Sequence, residues 1–164
     1  MIFKLLISFT LITTSSLEVN ADSIEDSASL RVDSKVYFKS EMSEINQLSK
    51  KVDCLFGGGA FFRNPEVKSL KVENKAVLFI KLKKYLEMKK YSVSDAEISR
   101  LFPLKNLENC GVRKERLIKG WLKSLILQEV FFQENFNLNK SDDSKRWPKF
   151  LKVLSSRYKS QVMR

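Results

Sequence analysis

Apolar and polar positions divide the chain into an N-terminal block of one kind and a longer stretch of another. Residues 5–12 (LLISFTLI) form a compact apolar run behind the single cation Lys4, and residues 13–20 turn polar before the small-residue sequence Val19-Asn20-Ala21. That order of charge, apolar segment and small-residue site is the pattern of a cleavable secretory signal, here residues 1–21. The run is too short to span ~30 Å of hydrocarbon as a permanent helix. Glu18 is unusual so near a cut, and Ser15 or Ser16 offers an alternative site. Residues 22–35 are short, polar and acidic-leaning, and are expected to form a flexible N-terminal segment.

From residue 36 the apolar positions fall at helical spacing. Phe38, Met42, Ile45, Leu48, Val52 and Leu55 step by three and four, drawing one stripe that ends at Gly57-Gly58-Gly59. A glycine run there permits a left-handed cap and a change of direction. Val67, Leu70 and Val72 are too sparse to choose between a strand and a helical turn, and Asn64-Pro65 marks a break. Residues 73–90 carry a stripe of Leu78, Leu82, Tyr85 and Leu86, widened by Val77, Phe79 and Ile80, which predicts a central helix. Ser94 to Glu97 fits a capping box ahead of a short helix that ends before Pro103. Residues 104–111 read as a connector, and residues 112–136 as the longest helical pattern, interrupted by Lys119, Lys123 and Glu129. A last helix begins near Trp147-Pro148. The expected fold is all-α: one domain over residues 36–164, a small bundle of four to five helices.

Composition changes this picture in three ways. The formal net charge of +11 favours an anionic partner, while a content of 43% hydrophobic residues with twelve Phe is enough for a real core. Histidine is absent, which removes His general bases, His-dependent nucleophile systems and His-containing metal sites. Cys54 and Cys110 are the two cysteines; in an oxidising compartment they are expected to form one disulfide, worth about 4 kcal/mol from chain entropy. No cofactor or metal site is expected.

The sharpest functional candidate is the C-terminal segment. At ~100° per residue, Trp147, Phe150, Leu151, Leu154, Tyr158 and Val162 share one sector. Lys145, Lys149, Lys152 and Lys159 lie roughly opposite, with Arg146 and Arg157 to one side. Such a helix could lie on an anionic membrane or dock into a partner's groove; alternatively its apolar sector completes the bundle, and the cations still face an envelope, a membrane surface or an acidic protein. Gly57-Gly58-Gly59 lacks the spacing of a phosphate loop and is read as a cap or hinge. The carboxylate pairs Glu41/Glu44 and Asp95/Glu97 would be the starting point for a carboxylate-based hydrolase of an extracellular polymer. Asn139-Lys140-Ser141 is a glycosylation sequon, meaningful only for a eukaryotic source. Lysines spread over every helix, with aromatics at core spacing, do not build a nucleic-acid platform, and export points away from that partner. The sequence therefore predicts a secreted or periplasmic basic helical binding protein and not an enzyme, with hydrolysis and protein-directed inhibition as the alternatives.

Overall fold

The computed structural model describes residues 28–136 and 141–163. The expected signal, residues 1–21, the first part of the expected flexible segment and most of the sequon lie outside those residues. The described chain is mostly helical, with seven α-helices and one small sheet: β1 (Ala28–Val32), β2 (Lys35–Phe38), α1 (Lys39–Leu55), α2 (Pro65–Lys68), α3 (Val72–Met88), α4 (Asp95–Leu101), α5 (Leu104–Asn109), α6 (Gly120–Asn135), α7 (Ser141–Arg157) and β3 (Ser160–Val162). A 3-10 turn at Lys114–Arg116 precedes α6.

The sheet corrects the all-α expectation. Its strands run β2-β1-β3, antiparallel throughout, with Leu30 opposite Tyr37 on one side and Val162 on the other. Residues 28–35, expected to be flexible, instead supply β1 and the hairpin turn. Leu30 and Val32 are buried and Arg31 is exposed, so one face of β1 closes on the core. Asp33 adopts the left-handed conformation at φ 52°, which its short polar side chain tolerates. Its carboxylate accepts from the Lys159 N–H at 3.1 Å and from Lys84 Nζ at 2.7 Å, tying hairpin, β3 and α3 together.

The helical core is a packing of α1, α3 and α6, with α7 laid against α3. Most of the predicted stripes of α1 and α3 are buried: Met42, Ile45, Val52 and Leu55 from α1, and Leu78, Phe79, Ile80, Leu82 and Leu86 from α3; Leu48, Val77 and Tyr85 are half-buried, and Phe38 is exposed. Boundaries shift by a few residues where short-range geometry wins. Val36 and Phe38 belong to β2, so the first helix starts at Lys39. The long pattern from residue 112 becomes a helix only at Gly120, whose φ of 55° breaks any helix running through it. Residues 104–111 contain α5. The last helix starts six residues earlier than expected, carries Pro148 inside it, and ends before Val162, which sits in β3.

Three helices end in the same hydrogen-bonded turn. After α1, Gly58 N–H donates to the Asp53 carbonyl (2.7 Å) and Gly57 N–H to that of Cys54 (2.9 Å), with Gly57 at φ 63°. Val112 and Gly111 repeat this on Leu107 and Glu108, as do Tyr91 and Lys90 on Leu86 and Glu87. This is the Schellman arrangement, which satisfies the last carbonyls of a helix. The disulfide between Cys54 and Cys110 joins two of these helix ends, α1 to α5, with a Cα–Cα distance of 5.8 Å. Lys51 Nζ reinforces the junction by donating to the Gly111 carbonyl at 2.8 Å. At the N-terminus of α4, Ser94 Oγ accepts from the Glu97 N–H at 3.1 Å, the cap half of the expected capping box.

Candidate functional site

The six C-terminal cations are all exposed: Lys145, Arg146, Lys149, Lys152 and Arg157 on α7, and Lys159 just beyond it. The apolar sector opposite them is used up inside the protein. Trp147, Leu154 and Tyr158 are buried, and Phe150 and Leu151 pack against the core. Trp147 meets Phe61, Phe132 and Phe136 edge-on and stacks on Phe150. Such aromatic contacts add to the burial of their area. The aromatic sector of the helix is thus committed to the core, and among the described residues what it presents outward is mostly charge, with Val153 the one large apolar side chain exposed there.

A more concave cationic surface lies elsewhere. Two adjoining cavities of about 520 and 550 Å³ run between α1 and the α2–α3 segment, sharing Ser49, Lys50 and Lys75. Their floor is apolar, with Met42, Phe62, Val67 and Phe79. Lys39, Lys50, Arg63, Lys68 and Lys75 line them against two acids, Asp53 and Glu73, and Asp53 already faces Arg63 at 3.5 Å. Helical spacing explains the concentration: Lys39, Met42, Asn46, Ser49 and Asp53 follow one side of α1, and Lys75 and Phe79 face them from α3. No sequence pattern signals this groove, because its cations come from four separate segments. Amphipathic analysis of single helices does not register a charge cluster made by tertiary packing.

The glycine run has a structural task that the sequence reading only half anticipated. Beyond capping α1, its loop wraps the carboxylate of Glu129, a fully buried residue of α6. Phe61 N–H lies 3.1 and 3.2 Å from the two carboxylate oxygens, Gln133 Nε2 donates at 2.7 Å, and the backbone at Ala60 and Phe62 adds a weaker attraction that favours the charged form. A Cβ on Gly59 would come within 2.5 Å of that carboxylate, so only glycine fits there. Burial pushes the Glu129 carboxyl above the ordinary carboxylate range, and the hydrogen bonds from Gln133 and the loop oppose this.

The proposed carboxylate pairs do not converge on a cavity. Glu41 accepts from Trp121 Nε1 at 3.1 Å, and Asp95 pairs with Lys123 at 2.7 Å. Glu44 and Glu97 are exposed, and none of the four acids lines a described cavity. Among the described residues no three His, Cys, Asp or Glu side chains gather as metal ligands, and no helix is long and apolar enough to cross a membrane.

A third cavity, of about 390 Å³, opens between α2, α3 and α7. It is lined by Val67, Leu70, Val77, Leu78, Leu151 and Leu154, together with Lys81, Glu66, Asn74 and Ser155. Lys81 is only 7% exposed, and burial holds its ammonium below the usual lysine range.

Comparison with known proteins returns no matching family model, no matching curated protein and no matching solved structure.

Proposed function

We propose that the chain is an exported, disulfide-stapled helical protein that binds an anionic partner, and that it works by capture and not by catalysis. The observation that carries this reading is the groove between α1 and α3. Five cations stand around an apolar floor with only two acids among them, one of which is committed to Arg63. A groove with this lining suits an extended acidic chain with intermittent apolar side chains, held by charge at the rim and by burial at the floor. Export rests on the ordered signal features of residues 1–21 and gives the Cys54–Cys110 disulfide an oxidising compartment, periplasmic or extracellular.

The test is binding of a glutamate-rich peptide at low ionic strength and at ~150 mM salt, where screening acts over about 8 Å. The expected result is saturable binding that weakens with salt, and loss of about tenfold or more in Lys50→Glu/Lys75→Glu. Lys149→Glu/Lys152→Glu on α7 should change it far less. A second reading places an anionic membrane on the exposed basic face of α7, favoured by six accessible cations with no acidic residue after Asp143. It predicts the reverse ranking, with phosphatidylglycerol vesicles as the ligand. No binding to either probe at low salt would remove both.

A further inference from the structure

The cavity between α2, α3 and α7 is a different kind of site. Asn74, Val77, Leu78 and Lys81 follow one side of α3, and seven residues of α-helix give the groove ~10 Å of length. Leu151, Leu154 and Ser155 form the opposite wall from α7, and Val67 and Leu70 close the α2 end. Its volume of about 390 Å³ lies within the usual range for small-molecule pockets.

The polar content of this pocket is unbalanced. Lys81 is buried, and among the described residues it forms no ion pair. Asp33 attracts it electrostatically, but Asp33 is already held by Lys84 at 2.7 Å and by the Lys159 N–H. A partly desolvated ammonium without an ion pair of its own is disfavoured, and a bound anion in the cavity would relieve that cost. The rest of the lining chooses among anions. Every apolar wall residue is aliphatic, in a chain that carries twelve Phe, four Tyr and two Trp. Walls of Val and Leu suit a flexible alkyl chain better than a flat ring. Asn74, Ser155 and Glu66 are the other polar side chains, too few to satisfy the amides of a peptide. Glu66, at the α2 end, would repel a second carboxylate.

We infer that this pocket binds a free aliphatic monocarboxylate, its alkyl chain between α3 and α7 and its carboxylate on the Lys81 ammonium. This goes beyond the capture of an acidic partner in the α1–α3 groove, and the two sites share only Val67 in their linings.

The probe is octanoate, titrated calorimetrically into the full chain alongside the uncharged 1-octanol. Octanoate should bind one to one and about tenfold or more tighter than octanol, and several-fold tighter than hexanoate, because each buried methylene contributes. Lys81→Met should remove the preference for the acid while leaving octanol binding within about twofold. Ser155→Trp, at an exposed position on the rim, should obstruct both ligands without touching the core. Equal affinity of the wild type for octanoate and octanol would overturn the inference, even if Lys81→Met failed to fold. So would octanoate binding that survives both substitutions, or that is abolished by Lys50→Glu/Lys75→Glu. Binding of octanoate with no binding of the glutamate-rich peptide would leave this pocket standing and the groove reading refuted.

Discussion

Glu129 and Lys81 are both ionisable side chains inside the helical core, and the chain houses them in opposite ways. Glu129 is fully enclosed and met by a loop folded for it: Phe61 N–H donates to its oxygens, Gln133 adds a donor, and Gly59 lacks the side chain that would exclude the carboxylate. Lys81 is nearly as enclosed, yet its only electrostatic partner among the described residues is an aspartate already engaged by Lys84, and it lines a cavity. A buried carboxyl ligated by its own chain fixes structure, because removing it leaves donors stranded. A buried charge left unligated beside a cavity contributes little to the fold and is open to something else. Exposure alone would put the two residues in one class; their partners separate them.

The largest test of that difference is to delete each charge in turn. Glu129→Ala should cost about 3–5 kcal/mol of unfolding free energy, since the loop N–H groups lose their acceptor and a cavity opens among Phe61 and Phe132. Lys81→Met should be neutral or stabilising, within about 1 kcal/mol, because an unpaired ammonium is replaced by an apolar chain of similar length. Denaturant midpoints at constant slope measure both. A Lys81→Met cost as large as that of Glu129→Ala would mean that Lys81 is structural after all.

The glycine loop sharpens the same contrast with a smaller effect. Gly59→Ala should cost about 1–3 kcal/mol, because the new Cβ meets a carboxylate that cannot move. In the Glu129→Ala background the same substitution should cost much less, since the group it collides with is gone; the double-mutant cycle isolates that coupling. Additive costs would show that Gly59 is needed for the backbone and not for the carboxylate.

Much of the scaffold around these two charges could be read from the sequence, and the charges themselves could not. The stripes of α1 and α3, the Ser94 cap, the turn at Gly57 and the pairing of Cys54 with Cys110 are local patterns or follow from a count of two, and each appears in the structure. The sheet was missed because its strands are three to five residues long and its outer pairing joins Leu30 to Val162, a contact that no local window contains. Glu129 registered only as an interruption of an apolar stripe. The signal was present, an acid on a core face together with a glycine run, but the two are separated by about 70 residues, and only the fold joins them. Lys81 was hidden among the lysines of α3. Its neighbours Lys83 and Lys84 pair with Glu87 and Asp33, so only packing distinguishes the lysine at 81. The basic face of α7 was legible, whereas the α1–α3 groove, assembled from four segments, was not.

The smallest effect concerns the protonation of Glu129, and it decides whether burial or the loop donors govern that carboxyl. Burial is the larger influence, so its folded-state affinity for a proton lies above the ordinary value of 4.5. A carboxyl of this kind contributes stability that is fully present below its unfolded pKa and is lost as the pH rises through the folded one. Overall stability will not show this cleanly, because Asp33, held below its ordinary range by Lys84, contributes with the opposite slope. Subtracting the unfolding free energy of Glu129→Gln from that of the wild type cancels Asp33 and leaves Glu129. That difference should be largest below pH 4.5 and should shrink as the pH rises towards neutrality. A difference that grows with pH would mean that the N–H groups of the loop outweigh desolvation and hold the carboxylate in its charged form. Glu129 would then be an anion bound by its own chain, the same arrangement that Lys81 is proposed to complete with a ligand from outside.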